Sequence, residues 1–209
     1  MTASEFDTML AVGYESRGIE FKGPGIRSER PFLAQVARAV MGLANRRDGG
    51  SVILGVQDDG GILSPIGLAD DHLESWRAYD DVAESINEYA SPSVAFDREI
   101  FSFRGSQYVI LNVREFVSIP VLCRRGYNIP NGRQVLREGA CYVRSAHKPE
   151  TSEIPSEQEM RELLDLAIEK GVREYLERAR RVGLLREESS QPPTLTDLER
   201  LEQQIGGDP

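Results

Sequence analysis

A chain of 209 residues, 40% hydrophobic and 28% charged, is long enough to bury a core and reads as one soluble domain with an appendage. Its formal net charge of −9 argues against coating nucleic acid through bulk charge. No apolar run approaches the roughly 18 residues of a membrane span. The acidic Met1–Asp7 segment lacks the features of a signal peptide, and the two cysteines, Cys123 and Cys141, read as reduced thiols of a cytoplasmic protein.

Ser4 to Val12 reads as a short helix capped by Ser4 with Asp7 three residues on. Gly13 and Gly18 interrupt the chain before a strand at Ile19–Lys22. Alternation there puts Glu20 and Lys22 on one face, with Ile19 and Phe21 buried behind them. Glu15, five residues before Glu20, can join that face only through a bend, which Gly18 supplies. Pro31 suits the first turn of a helix reaching Asn45, with Phe32, Val36, Val40 and Leu43 as its stripe. Asp48-Gly49-Gly50 ends it. A mostly apolar strand, Ser51–Gln57, then leads through Asp58-Asp59-Gly60-Gly61 into a short strand near Ile62–Ile66.

The spacing of Leu73, Trp76, Tyr79, Val82, Ile86 and Tyr89 predicts one helix over Asp71–Ala90. Strands follow near Ala95–Phe103, Gln107–Phe116, Pro120–Arg125 and Ala140–Ser145, with Gly126–Gly132 read as a loop. A last helix starts at Ser156, where Glu159 completes a capping box, and its stripe is Met160, Leu163, Leu164, Ala167 and Ile168. These elements give an α+β fold with a mixed, largely antiparallel sheet. Residues 1–185 form the domain, and 186–209 read as a mobile acidic tail that could hold a short helix at Thr196–Ile205.

Chemistry concentrates in two places. Glu15, Glu20 and Asp58 could gather into an acidic cluster beside Lys22, a composition suited to a divalent ion working on phosphate. From Val121 to Lys148 six cations (Arg124, Arg125, Arg133, Arg137, Arg144 and Lys148) face one acid, Glu138, which makes a basic patch on an acidic protein. Each feature also has a plainer explanation. The acids can be surface residues, Asp58 a turn residue, and Arg144 half of a structural ion pair.

Glu15-x4-Glu20-Phe21-Lys22, then Ala44-Asn45, then Gly49-Gly50-Ser-Val-Ile-Leu-Gly-Val-x-Asp58-Asp-Gly, resembles the Schlafen core, labelled in bacteria an Alba-like DNA-binding domain. Cys141-Tyr142-Val143-Arg144-Ser145, followed by Pro149–Ile154 and a helix, resembles that family's closing strand and helix. The resemblance covers residues 12–168. It implies a nucleic-acid-binding domain and, by likeness to nuclease-active members, a metal-dependent endoribonuclease acting on structured RNA such as transfer RNA. In that reading Glu15, Glu20 and Asp58 hold Mg²⁺ or Mn²⁺, and Lys22 steadies charge on the phosphate. The Arg124–Lys148 segment grips the nucleic-acid backbone, with RNA favoured and DNA the other candidate. A non-catalytic DNA-binding regulator and a protein-interaction domain are the alternatives.

Departures are visible too. Arg46-Arg47-Asp48 replaces a short uncharged link. Cys123, Cys141, His72 and His147 offer no close ligand pairs for the zinc site of eukaryotic members. No Gly-x4-Gly-Lys-Ser/Thr loop supports the family's former ATPase label. Eukaryotic members pair two lobes around a channel, so a single lobe implies a homodimer, with Leu163, Leu164, Ile168 and Tyr175 of the last helix as the contact.

Overall fold

The structure is a computed structural model, and it describes residues 1–12, 17–130, 132–145 and 150–184. Helix α1 (Ala3–Val12) leads to strand β1 (Ile19–Lys22), helix α2 (Arg30–Ala44), β2 (Gly50–Leu54), β3 (Val56–Asp58) and β4 (Leu63–Pro65). Two short helices follow, α3 (Asp70–Ser75) and α4 (Tyr79–Asn87), then β5 (Ala90–Ser91), β6 (Phe96–Phe103) and β7 (Ser106–Val113). The remaining strands are β8 (Leu122–Cys123), β9 (Tyr127–Asn128), β10 (Gln134–Leu136), β11 (Tyr142–Arg144) and β12 (Thr151–Glu153), and the last helix is α5 (Glu157–Arg181). This is the expected α+β fold. The chain divides into two units, residues 1–170 and 171–209, and all of the described strands lie in the first.

A four-stranded sheet runs β1-β2-β7-β6, with β1 parallel to β2 and the other pairs antiparallel. Both faces are covered. On one, Val52, Leu54, Val109 and Leu111 pack with α2 and α4. On the other, Phe21, Ile53, Tyr108 and Ile110 pack around Phe6 of α1. Helix α2 is buried at ten of its positions, and its alanines Ala34, Ala37, Ala39 and Ala44 let neighbours come close. Asn45, just past its end, is a buried clamp. Its amide donates to the Val121 and Tyr142 carbonyls at 2.8 Å each, and its oxygen accepts the Val121 N–H at 2.7 Å. That secures the β8 and β11 region to α2.

Several sequence expectations shift by a physical cause. Helix α1 is capped two residues earlier than expected, by Thr2 and Glu5. The Thr2 hydroxyl accepts the Glu5 N–H, and the Glu5 carboxylate accepts the Thr2 N–H at 2.7 Å. The strand expected over Ser51–Gln57 divides at Gly55, whose φ of 103° lets β3 leave the sheet and form a hairpin with β4. The helix expected over Asp71–Ala90 is two helices. The Trp76 indole donates to the Gly25 carbonyl at 2.9 Å, and the break after it turns Tyr79 outward, where its hydroxyl donates to the Phe96 carbonyl. Trp76 itself is core, as its spacing indicated. The Gly126–Gly132 loop contains β9, which pairs with β10. In α5, Leu163 and Leu166 are buried, whereas Met160, Leu164 and Ile168 of the expected stripe are exposed.

Candidate nucleic-acid interface

Strand β1 places Glu20 and Lys22 on one face, the face of α2, as alternation required. The expectation that only Ile19 and Phe21 would be covered needs correction, because Glu20 is 5% exposed. The hairpin of β11 and β12 closes over it. Glu20 Oε1 accepts from Lys22 Nζ at 2.5 Å. Its Oε2 accepts from Arg144 at 2.5 Å and from the Thr151 hydroxyl at 2.6 Å. Arg144 also donates to the Ile19 carbonyl at 2.7 Å, tying the hairpin to the β1 backbone. Burial pushes the Glu20 carboxyl up, but the charges of Lys22 and Arg144 and the hydrogen bonds of Lys22 and Thr151 outweigh it and hold it below the usual carboxylate range. The group is a carboxylate at neutral pH.

Above this pair lies a cleft of about 300 Å³ between α2, the β9–β10 hairpin and β12. Lys22, Arg38 and Arg133 bring positive charge to it, against Glu20 and Glu150. Glu20 is already matched by Arg144 beneath it, so the cleft is cationic on balance. Arg38 donates to the Thr151 carbonyl at 2.6 Å and lies over the Tyr142 ring, which fixes its guanidinium at the cleft edge. A larger cavity of about 450 Å³ lies between the end of α2 and the start of α5. Its Arg17 pairs with Glu162, and the adjacent Arg47 pairs with Glu169, so α5 already supplies its anions. The smaller cleft is therefore the candidate for phosphate.

Of the other described sequence-predicted residues, Arg133 is the one that lines the cleft. Asp58 is exposed at the end of β3 and accepts the Gly61 N–H at 2.7 Å, closing the turn between β3 and β4. Glu15, His147 and Lys148 lie outside the described residues. Among the described residues no three His, Cys, Asp or Glu side chains are grouped to hold a metal ion. Both Glu20 oxygens are taken by donors, so as placed they do not fit a divalent ion. In the basic segment, Arg124 is exposed, Arg125 pairs with Glu88, Arg137 pairs with Glu153, and Arg144 is buried on Glu20. As placed, Arg144 is therefore a structural cation and not a surface phosphate contact. Arg133 lines the cleft.

Sequence reasoning missed Arg38 and Gln35. They sit three apart on the polar side of α2, a signal hidden behind that helix's apolar stripe. The cysteines are not anionic. Burial raises the Cys123 thiol, and it pushes Cys141 up to about 11. His72 is half-buried in α3. No helix among the described residues is long and apolar enough to cross a membrane.

The family model described as Schlafen, AlbA_2 matches residues 15–153, which contain the Glu20 cluster and all of the cleft. A match to that family points to a nucleic-acid-binding domain. No curated protein matches the chain. Among solved structures, the DIP2311 protein from Corynebacterium diphtheriae is similar at 16% identity and a TM-score of 0.46, over 76% of this chain and 27% of that one. The N-terminal domain of a RecG-related protein from Nitrosomonas europaea is similar at 18% identity and a TM-score of 0.39, over 74% of this chain and 95% of that one.

Proposed function

The chain belongs to the Schlafen, AlbA_2 family, and from that premise we propose that it binds nucleic acid by seating backbone phosphate in the cleft of Lys22, Arg38 and Arg133. The observation that carries this reading is the cationic balance of that cleft, which follows from the burial of Arg144 against Glu20. The Glu20–Arg144 pair acts as its floor, holding the β11–β12 hairpin against β1. Phosphate contacts of this kind position a ligand without reading bases. Structured RNA such as transfer RNA is the favoured ligand, chosen by shape, and DNA is the competitor.

Metal-dependent cleavage is a second reading, favoured by the presence of an ionised Glu20 beside a lysine in the cleft wall. It requires Glu15, Glu20 and Asp58 to converge on Mg²⁺ or Mn²⁺, and Glu20 to exchange its present donors for the ion. One experiment separates the two. Purified protein is mixed with labelled transfer RNA and with duplex DNA, with and without Mn²⁺, and both retention and chain length are followed. The binding reading expects complexes without metal, weakened by about tenfold or more in Arg38→Ala together with Arg133→Ala. Intact affinity in that double variant, or no binding to either ligand, rejects it. Mn²⁺-dependent fragments that vanish in Asp58→Asn would instead establish the cleavage reading, since Asp58 is exposed and its replacement spares the core.

A further inference from the structure

The cleft of Lys22, Arg38 and Arg133 holds more positive charge than one link inside a nucleic-acid strand can answer. Among the described residues that line it, those three cations face Glu20 and Glu150. Arg144, buried against Glu20, adds a fourth from below, so two positive charges stand in surplus. A phosphodiester within a strand brings one negative charge. A terminal phosphomonoester brings about −1.5 to −2 at neutral pH. Charge complementarity favours the second.

Arg38 is the fixed member of the set. It donates to the Thr151 carbonyl at 2.6 Å, lies over the Tyr142 ring at 5.3 Å, and has no carboxylate within ion-pair distance among the described residues. A guanidinium held by a carbonyl and a ring keeps its charge and further donors for a ligand. Its planar fork matches phosphate oxygens best where several are unshared, and a monoester presents three of them. The other walls suit a nucleoside as well as a phosphate. Ile129 is half-buried and Val135 buried, which gives a base or sugar an apolar surface. Gln35 and Gln134 are exposed, and neither side-chain amide is bonded within the described protein, so both can meet base edges or sugar hydroxyls. At about 300 Å³ the cleft is at the lower end of ligand pockets, with room for one nucleotide and not for a base pair.

Resting on the nucleic-acid reading above, we infer that the cleft seats the phosphorylated end of a nucleic-acid strand. The terminal phosphomonoester lies on Lys22, Arg38 and Arg133, and its nucleoside lies against Ile129 and Val135. The backbone phosphate seated in the cleft is then the last of its strand. The site distinguishes a strand that ends in phosphate from one that ends in a hydroxyl.

One short unpaired RNA, internally labelled, tests this on the full chain. It is prepared with a phosphate at the 5′ end, with a phosphate at the 3′ end, with hydroxyls at both, with the terminal phosphate methylated, and as a circle without ends. Anisotropy titrations should show one phosphorylated end bound about tenfold or more tighter than the hydroxyl and circular forms. Methylation removes one charge at nearly constant shape and should forfeit most of that gain. Arg38→Ala, checked for an unchanged circular dichroism spectrum, should bind every form alike. Equal binding of all forms by the unaltered chain overturns the inference and leaves phosphate seating in the cleft standing. So does a methylated end bound as tightly as the free phosphate, or an undiminished preference in Arg38→Ala. No binding to any form rejects both readings. Adenosine monophosphate and inorganic phosphate serve as competitors, and each should bind about tenfold or more weaker than the phosphorylated strand. If the free nucleotide matches the strand, the site serves soluble nucleotides, and if inorganic phosphate matches it, the site holds an anion alone. Either result overturns the strand end as the ligand.

Discussion

At the scale of single residues, Glu20 decides how the site can be read. Strand alternation gave its face and its proximity to Lys22, but not its burial. The groups that bury it arrive from a hairpin far along the chain, with Arg144 separated from it by 124 positions. No local periodicity encodes such a contact. Arg144 was legible only as a strand-end cation, for which an ion pair and a phosphate contact looked alike. The energetics follow from its side chain being fully covered. Removing the carboxylate leaves a buried guanidinium with its main counter-charge gone, so Glu20→Gln should cost about 3 kcal/mol, near the low end for a broken buried pair because Lys22 and Thr151 remain. Glu20→Gln combined with Arg144→Met should cost clearly less than the sum of the two, as measured by urea unfolding, and additive losses would refute the coupling. The pH dependence has a definite sign. An unfolded glutamate titrates near about 4.3 and Glu20 is held lower in the fold, so its stabilisation is present above that value and drains away as pH falls toward the folded pKa. The Glu20→Gln variant should lose this acid limb. For the same reason, loss of RNA cleavage in that variant alone would not identify a catalytic group.

At the scale of elements, the sequence was most legible where one period ran uninterrupted. Strand β1, helix α2 and strand β6 fall within one residue of expectation, because each buries a regular stripe, while β7 ends at Val113, three residues short of it. It was least legible where a tertiary anchor overrides the period. The Trp76 indole bond to Gly25 breaks one amphipathic helix into α3 and α4, and Gly55 breaks one apolar strand into β2 and β3. The Gly49-Gly50 pair shows how backbone geometry reaches into the fold. Gly49 has φ of 63°, and a Cβ there would stand 2.0 Å from the Val113 carbonyl oxygen. That oxygen belongs to strand β7 and cannot retreat without disturbing the sheet. Gly49→Ala should therefore cost about 2–4 kcal/mol, combining left-handed strain with overpacking. Urea unfolding should show the midpoint falling at constant slope. A loss under half a kilocalorie would mean the α2–β2 turn relaxes freely.

At the scale of the whole molecule, the question is how a protein of net charge −9 holds a polyanion. Counting charge along Val121–Lys148 marks a basic segment, but three of its cations are paired within the fold. Glu88 and Glu153, both outside that window, neutralise Arg125 and Arg137, while Arg144 is spent on Glu20. Meanwhile Lys22 and Arg38, also outside it, join Arg133 across the cleft. A linear count cannot foresee either exchange, because partners are chosen by the fold. Counterion release turns this into a measurement. If three cations meet phosphate, the plot of log affinity against log salt should have a slope of about −2 to −3 per cleft, between the single-strand and duplex limits. Arg133→Ala should reduce its magnitude by about one and weaken binding to all sequences alike. Arg125→Ala should leave the slope unchanged, since Glu88 already answers that charge at the exposed surface. Fluorescence anisotropy with a labelled RNA hairpin across a salt series reads both variants side by side. If Arg125→Ala flattens the slope and Arg133→Ala does not, phosphate runs over the β8–β9 surface and the cleft is not its seat.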